Sequence, residues 1–332
     1  MVVVMGAAAS EQQIQAVLAY LARHRLSVRV SRGVERTIIV VLDEAPPGLA
    51  EKLSTQAGVE RVVPIARPYK LASREYQPRD TLVRIGDVEV GGGSVSLIAG
   101  LACQAEPEAL QATAEAAGAA GAHLLRLPAF MEEAAPYDPS GGLAAVADRL
   151  ARARRAGLPL VAEVRSVEDV DACALLAEAF WVGRHDMHNA ALLRRCVAAR
   201  RPLILERSPA ATIEDWLMGT EHILTQGHAE VVLCEAGIRS FDRLTLDLNG
   251  VSLVRRLSHL PVVVEPGRAE AGSELLEPLA LASAAAGAHG VAVEVLPRRA
   301  APLPAGEPAL SIPGLRRLAR RLTRLTRAQA RL

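Results

Sequence analysis

Residues 203–235 read LILERSPAATIEDWLMGTEHILTQGHAEVVLCE and contain one complete strand–helix–strand unit. A short apolar run ends at Glu206, a helical segment follows, and a second apolar run ends at Glu235. The alternation repeats from Ser94 onward, with strands predicted near 95–99, 122–126, 159–164, 179–183, 202–206, 230–235, 261–265 and 290–295. Eight βα units over about 235 residues are typical of an α/β fold, the (β/α)8 TIM barrel. A doubly wound sheet is the alternative, but no glycine-rich dinucleotide loop follows any strand.

The residues before this barrel predict a smaller unit. Residues 1–66 show the order βαββαβ of a ferredoxin-like α+β domain, which we expect to serve in regulation or oligomerisation. Ser10, followed by Gln13, predicts a capping box at the start of its first helix. Residues 67–93 are interpreted as a linker and a β-hairpin, and residues 94–332 as the barrel.

The composition argues against several classes of function. The chain has 332 residues, half of them hydrophobic, with 38 basic and 37 acidic side chains and a net charge of +1. This balance, together with an aromatic content of only 3%, argues against binding to nucleic acid or to an acidic membrane. No apolar run is long enough to span a bilayer, and the four cysteines lack metal-binding spacing. We therefore expect a soluble, cytoplasmic protein with reduced thiols.

Lysine chemistry is excluded from the barrel. The sequence contains two lysines, Lys52 and Lys70, and both precede the first barrel strand. A Schiff base requires a desolvated lysine, and a Walker loop requires a lysine after its glycines. Lysine-type aldolases and P-loop enzymes are therefore ruled out.

Polar residues are dense where the predicted barrel strands end. Because the chemistry of such barrels lies at the C-terminal ends of the strands, these residues predict a pocket for a small-molecule ligand. His185 is the best general-base candidate, since an imidazole titrates near neutrality, and Glu206 and Glu294 are the other catalytic candidates. The predicted substrate-binding residues are Arg126, Glu163, His188, Arg207, Glu235, Arg239, Glu265 and Arg268.

The two histidines also allow a metal interpretation. His185 and His188, with Glu206 or Glu294 as a carboxylate, have a spacing that can converge on one ion, but the pattern is weak. Histidines at the start of a helix more often cap or pack. We therefore predict no metal and no cofactor.

The C-terminal stretch beginning at Gly314 alternates leucines with many arginines. It is predicted to be the last barrel helix, with its leucine face packed inward. A basic amphipathic helix for an acidic partner or a lipid is the alternative.

Several motifs carry a resemblance to a known family: RVVPIARPYKLASRE at 61–75, IAG at 98–100, AATIEDW at 210–216, CEAGIR at 234–239, TLDL at 245–248 and LPVVV at 260–264. Over nearly its whole length the sequence resembles the type I 3-deoxy-7-phosphoheptulonate (DAHP) synthases that have an N-terminal ferredoxin-like regulatory domain. The resemblance implies a TIM barrel, and a homodimer or homotetramer built partly through the ferredoxin-like domains.

The resemblance also implies a metal-dependent, aldol-type condensation of phosphoenolpyruvate with erythrose 4-phosphate, with a divalent cation held by Cys, His, Glu and Asp. Ungapped placement puts Ala102 at the cysteine position with Cys103 one residue later, Arg268 at the histidine, Glu294 at the glutamate and Ala305 at the aspartate. Three of the four implied ligands are therefore replaced, one of them by a guanidinium, which repels a cation.

The implied phosphate-binding positions differ as well. The family's basic segment after the second strand is replaced by Met131-Glu132-Glu133. His185, Glu206 and Ala236 stand where the family has Arg, Lys and Arg, whereas Arg207 and Arg239 are kept. A reversed charge at these positions turns the attraction for phosphate into repulsion.

From the sequence we expect a divergent DAHP-synthase-like protein that has lost the metal and phosphate sites. Its predicted role is a metal-independent cyclisation, elimination or carbon–carbon bond step on a non-phosphorylated substrate in specialised metabolism. One alternative is a noncatalytic protein that regulates or scaffolds a true synthase or a chorismate mutase and senses an aromatic amino acid through residues 1–66. The second alternative is an unusual DAHP synthase.

Overall fold

Two structural units follow one another along the chain in the computed structural model. It describes residues 1–32, 37–43, 45–63, 68–101, 107–129, 143–241, 243–268, 272–296 and 308–329. The first unit is Met1–Arg79 and the second is Asp80–Leu332. The boundary between them falls inside the segment 67–93 that the sequence suggests is a linker and a hairpin.

The first unit has the predicted ferredoxin-like fold. Its elements are β1 (Val2–Met5), α1 (Glu11–Arg23), β2 (Val28–Arg32), β3 (Thr37–Val41), α2 (Leu49–Ser54) and β4 (Val59–Val63). The antiparallel sheet has the order β2-β3-β1-β4. The capping box of α1 is present, because Gln13 N donates to Ser10 Oγ at 3.3 Å and Ser10 N donates to Gln13 Oε1 at 2.9 Å. Val17 and Leu21 of α1 are buried in one cluster with Val3 of the sheet.

The second unit begins with a hairpin and continues as alternating strands and helices. The elements are β5 (Val83–Ile85), β6 (Val88–Val90), β7 (Ser96–Leu101), α3 (Pro107–Ala120), β8 (Leu124–Pro128), α4 (Leu143–Arg154), β9 (Leu160–Val164), α5 (Val167–Cys173), β10 (Ala179–Val182), α6 (Ala190–Ala198), β11 (Leu203–Glu206), α7 (Ile213–Thr225), β12 (Val231–Glu235), β13 (Ile238–Ser240), β14 (Arg243–Thr245), α8 (Leu248–Leu257), β15 (Val262–Val264), a 3-10 turn (Pro266–Arg268), α9 (Ser273–Ala285), β16 (Gly290–Leu296), β17 (Ala309–Ser311) and α10 (Ile312–Gln329).

Eight parallel strands of this unit close into the predicted TIM barrel. The order is β15-β12-β11-β10-β9-β8-β7-β16, and the pairing of β15 with β16 completes the ring. Every predicted barrel strand overlaps an observed one, and the bounds differ by at most two residues. The strands are recognisable in the sequence because a barrel strand is buried on both faces and therefore appears as a continuous apolar run.

The β5–β6 hairpin closes the N-terminal end of the barrel. Val83 and Ile85 are buried in one cluster with barrel residues such as Val161. Gly86 turns the hairpin with φ of 60°, and a Cβ there would lie 2.6 Å from Cγ of Pro159, which precedes β9. The N-terminal end of the barrel is therefore filled by protein, so a ligand site belongs at the opposite, C-terminal end.

The helix α10 packs as the last barrel helix, as predicted. Leu315, Leu318 and Leu322 are buried, whereas Arg316 and Arg320 are exposed. Its leucine face is covered by the protein, which leaves the arginines on the surface. Within the described ranges, neither α10 nor any other helix has the length and apolar character that crossing a membrane requires.

Candidate functional site

Charged side chains from separate strands meet at the C-terminal end of the barrel. We call this set the mouth cluster, and its members are Arg126, Glu163, Glu206, Glu265, Arg268 and Glu294. Five of them lie in or directly after a barrel strand, where an apolar run gives way to a polar residue, and Arg268 ends the 3-10 turn that follows β15. Arg126, Glu206 and Glu265 are exposed by only 3%, 1% and 2%. Charges this deeply buried persist only when they are paired, so the contacts within the cluster determine its chemistry.

Arg126 is the centre of the mouth cluster. Its Nη1 and Nη2 donate to the two carboxylate oxygens of Glu265 at 2.8 and 2.7 Å, a bidentate pair. Nη2 also donates to Glu294, and Nε lies 3.9 Å from Glu163 Oε2. The guanidinium carbon lies 4.7 Å from the ring centroid of Trp181. Burial opposes the charge, but the three carboxylates outweigh it and hold the pKa of Arg126 well above its ordinary value.

Glu265 joins two arginines. Besides the pair with Arg126, its Oε1 accepts a hydrogen bond from Arg268 Nε at 3.2 Å. The other end of Arg268 reaches toward Glu163, with 3.9 Å between Nη2 and Oε1. Burial alone favours the neutral acid, but Arg126 and then Arg268 outweigh it and lower the pKa of Glu265 to about 2. Glu265 is therefore a fixed negative charge at neutral pH.

Glu206 differs from Glu265 although both are buried carboxyls. Trp181 Nε1 donates to Glu206 Oε2 at 3.1 Å. The other oxygen, Oε1, accepts no hydrogen bond from the described residues, and Arg184 Nε lies 3.8 Å from it. Burial, followed by the negative charge of Glu265, raises the pKa of Glu206 to about 7. Glu206 is thus a carboxyl that exchanges its proton near neutrality, with one oxygen fixed and the other available.

Glu294 lies where a glycine leaves room for it. Gly100 of β7 pairs in register with Glu294 of β16, and a Cβ added to Gly100 would lie 2.5 Å from the Glu294 carboxylate carbon. Burial raises the pKa of Glu294, and the positive charge of Arg126, followed by its hydrogen bond, opposes the shift. The glycine of the Ile-Ala-Gly motif therefore admits a carboxylate between two strands.

We predict that Gly100→Ala lowers the free energy of unfolding by about 1–3 kcal/mol, because the new methyl pushes Glu294 away from Arg126 in a packed site. Urea denaturation at pH 7 measures the change. Gly93→Ala is the matched control, since a Cβ at Gly93 meets no atom within 4 Å. Equal stability of Gly100→Ala and the wild type would contradict this position of the Glu294 carboxylate.

A second buried ion cluster lies after β11 and β12. Arg207 Nη1 lies 3.0 Å from both Glu235 Oε2 and Asp247 Oδ2, and its Nε donates to the Ala211 carbonyl at 3.0 Å. Glu235 Oε1 accepts from Gly237 N at 2.8 Å, and burial raises the pKa of Glu235. Arg207 and Glu235 therefore hold the loops around Ala211 and Gly237. The substrate-binding role predicted for both stays a prediction.

Three of the predicted site residues belong to neither of these two clusters. His185 and His188 are exposed in the turn between β10 and α6, and Arg239 is exposed on β13. Among the described residues, no hydrogen bond or ion pair joins their side chains to the mouth cluster. The predicted general-base role of His185 stays a prediction, and the geometry favours Glu206 for that role.

The sequence profile of the DAHP synthetase I family matches residues 69–330, and the profile of the DAHP synthase ferredoxin-like domain matches residues 1–67. The chain belongs to the DAHP synthetase I family. This confirms the resemblance that the linker and strand motifs carry.

Proteins from Thermotoga maritima match this chain. Phospho-2-dehydro-3-deoxyheptonate aldolase of that organism is 32% identical over 332 residues, covering 99% of this chain and 98% of the relative. The crystal structure of a T. maritima phospho-2-dehydro-3-deoxyheptonate aldolase (DAHP synthase) superposes with a TM-score of 0.75 at 31% identity, covering 99% of this chain and 97% of the other. A truncated T. maritima 3-deoxy-D-arabino-heptulosonate 7-phosphate synthase superposes with a TM-score of 0.71 at 31% identity. The match covers 79% of this chain and 97% of the other.

Of the four ligand positions that the DAHP synthase resemblance implies, Arg268 and Glu294 are described, and their contacts do not fit a divalent cation. Arg268, at the histidine position, places its guanidinium against Glu265, and Glu294 accepts a hydrogen bond from Arg126. A cation there would face two guanidinium groups and compete for carboxylates that already compensate them. No group of three His, Cys, Asp or Glu side chains within the described ranges is arranged to hold a metal. Ala102, Cys103, Met131-Glu132-Glu133 and Ala305 lie outside the described residues.

Sequence reasoning missed two residues of the site, Trp181 and Arg184. Trp181 fixes Glu206 and lies beside Arg126, and Arg184 is the cation next to Glu206 Oε1. A signal for Trp181 was present, because a tryptophan in a fully buried strand needs an acceptor for its N–H. Arg184 follows β10 in a turn, where the sequence does not fix the direction of a side chain.

Proposed function

We propose that this member of the DAHP synthetase I family is an enzyme whose mouth cluster performs acid–base chemistry on a small, non-phosphorylated ligand without a divalent cation. Glu206 carries the proposal. It is a buried carboxyl with a pKa raised to about 7, held through one oxygen by Trp181. Such a group is suited to donating a proton to a leaving hydroxyl or taking one from carbon, the steps of an elimination or a cyclisation.

The charges around Glu206 support a ligand without phosphate. Arg126, Arg184 and Arg268 face four carboxylates, which are Glu163, Glu206, Glu265 and Glu294. The set carries one net negative charge when Glu206 is ionised and none when it is protonated. No guanidinium of this set is left to compensate a phosphate dianion, which would therefore be bound weakly. The proposed ligand is neutral, or carries at most one charge.

Two measurements test the proposal. The first determines the metal content of the purified protein and then its consumption of phosphoenolpyruvate in the presence of erythrose 4-phosphate and Mn²⁺. We expect no consumption above that of a blank without protein. The second incubates the protein with a small-molecule metabolite extract and follows every compound by mass spectrometry. We expect a phosphate-free compound to change with the wild type and at least ~100-fold more slowly with Glu206→Gln. An extract in which no compound changes would contradict the proposal.

The second candidate function is the condensation that the resemblance implies. The observation that favours it is the 32% identity to the T. maritima aldolase over 98% of that protein. Consumption of phosphoenolpyruvate that depends on both erythrose 4-phosphate and Mn²⁺ would establish it and would overturn the metal-free proposal.

A noncatalytic role remains the third candidate. The observation that favours it is the match of residues 1–67 to the DAHP synthase ferredoxin-like domain, because a regulatory role would act through such a domain. In this case neither substitution of Glu206 nor addition of substrates has an effect, but the protein co-elutes with a DAHP synthase or a chorismate mutase on size exclusion. We further propose a cytoplasmic homodimer or homotetramer, which multi-angle light scattering distinguishes from a monomer.

A further inference from the structure

A groove on the outside of the barrel runs between helices α3 and α10, away from the mouth cluster. One section has a volume of about 880 Å³ and is lined by Ala109, Ala112, Thr113, Ala116, Ile312, Pro313, Arg316, Arg317, Arg320, Arg321 and Arg324. A second section of about 850 Å³ shares Arg316 and Arg320 and continues along α10 to Arg327. The two sections form one groove along α10, which at 18 residues is about 27 Å long. We call it the α3–α10 groove.

The two walls of the groove differ in character. On the α3 side, Ala112 and Ala116 present methyl groups one helical turn apart, with Ala112 exposed and Ala116 half-buried. On the α10 side, Arg316, Arg320 and Arg324 are exposed and repeat every four residues, so they form a row along one face of the helix. The described part of α10 contains no acidic side chain.

The arginines of this row differ from their neighbours in their contacts. Arg317 and Arg321 both pair with Glu277 of α9, at 2.8 and 2.9 Å. Arg316, Arg320 and Arg324 make no hydrogen bond or ion pair with any residue in the described ranges. Three cations therefore line an apolar floor without compensating acids, within about 12 Å along one helix.

We propose that the α3–α10 groove docks an acidic amphipathic helix of a partner protein. The alanines are small enough to let apolar side chains of a second helix approach α3, and the arginine row fits carboxylates repeated every three or four residues along that helix. Charge complementarity selects the partner, while the alanine floor requires an apolar face on it.

Two other classes of occupant fit less well. Insertion into an anionic membrane needs an exposed apolar face on the basic helix, but the leucine face of α10 is buried against the barrel. Single-stranded nucleic acid needs several aromatic side chains for stacking, and the described lining of the groove has no Phe, Tyr or Trp and a single histidine, His123.

The experiment uses the full chain and a fluorescein-labelled 18-residue peptide with leucines on one helical face and glutamates on the other. Fluorescence anisotropy gives the dissociation constant at 100 mM salt. We expect Arg316→Glu/Arg320→Glu/Arg324→Glu to weaken binding at least tenfold. The matched control, Arg194→Glu/Arg256→Glu, reverses two exposed arginines on α6 and α8 and is expected to change it less than twofold.

A second variant separates docking in the groove from attraction to charge alone. Ala112→Trp fills the apolar floor and leaves every arginine in place. It should weaken binding of the amphipathic peptide at least fivefold and leave binding of a polyglutamate peptide unchanged. Equal binding to Ala112→Trp and the wild type would overturn the proposal. So would stronger binding, in the same assay, to a single-stranded oligonucleotide or to phosphatidylserine vesicles than to the peptide.

Discussion

Replacing Arg126 by methionine is expected to lower the free energy of unfolding at pH 7 by about 3–5 kcal/mol, among the largest effects of a single substitution in this protein. Methionine keeps much of the apolar volume beside Trp181 but removes the cation that Glu265 and Glu294 share. Two buried carboxylates then lose their principal partner, and the cost of desolvating them is no longer offset. Urea denaturation followed by circular dichroism measures the change.

The pH dependence identifies the cause of this loss. In the wild type the pKa of Glu265 is lowered to about 2, so its contribution to stability is complete above its unfolded value of 4.5 and is lost as the pH falls toward 2. Without Arg126, burial favours the protonated carboxyls, so the variant gains stability as the pH falls from 7 toward 4.5. The stability that Arg126→Met loses relative to the wild type should therefore be larger at pH 7 than at pH 4.5.

Two further variants serve as controls. Arg152→Met removes an exposed i,i+4 pair with Asp148 and is expected to change stability by less than ~1 kcal/mol. The double variant Arg126→Met/Glu265→Gln should be less destabilised than the sum of its single variants, because it removes cation and carboxylate together. The pairing of Arg126 with Glu265 would be contradicted if the changes in the free energy of unfolding were strictly additive. It would also be contradicted if the stability lost by Arg126→Met were the same at pH 4.5 and pH 7.

The barrel was predictable because its strands are short, continuous apolar runs that end in polar residues. Glu206 and Glu235 each mark the end of a run, and β11 and β12 end at these two residues. The pairing of β16 with β7 joins the last barrel strand to the first by closure of the ring, and here the count of eight strands was the only available signal. The local pattern of apolar residues thus predicts the strands and helices, and the number of repeats predicts that the strands close into a barrel.

The mouth cluster was predictable in membership but not in its contacts. A strand end gives the edge of the barrel on which a residue lies, and Arg126, Glu265 and Glu294 do meet there. It does not give direction, since a shift of one residue reverses the side of a strand to which a side chain points. His185 follows β10 by three residues and lies exposed, whereas Trp181 within the same strand reaches Glu206.

Glu206→Gln is the second substitution with a large expected effect, and its two consequences have opposite signs. Under the proposed function the turnover falls by roughly 10²–10⁴, since an amide neither gives nor takes a proton. The shape is kept, because the glutamine oxygen still accepts from Trp181 Nε1. Stability at pH 8 is expected to rise, because the substitution removes a negative charge from a fully buried site.

The sign of the stability change follows from the pKa of Glu206, raised from 4.5 to about 7. The folded protein holds a proton that the unfolded chain releases, so wild-type stability decreases as the pH rises from 4.5 through about 7. Glu206→Gln removes this decrease. The free energy of unfolding of the variant, relative to that of the wild type, should therefore increase by up to roughly 3 kcal/mol between pH 4.5 and 8. Glu51→Gln, at an exposed position of the first unit, is the control and should show no such growth. The stability measurement needs no substrate. If the difference between Glu206→Gln and the wild type did not change with pH, the assignment of Glu206 as a buried carboxyl with a raised pKa would be wrong. If the pH effect is present but the wild type turns over no compound, the buried carboxyl is retained and the noncatalytic candidate is favoured.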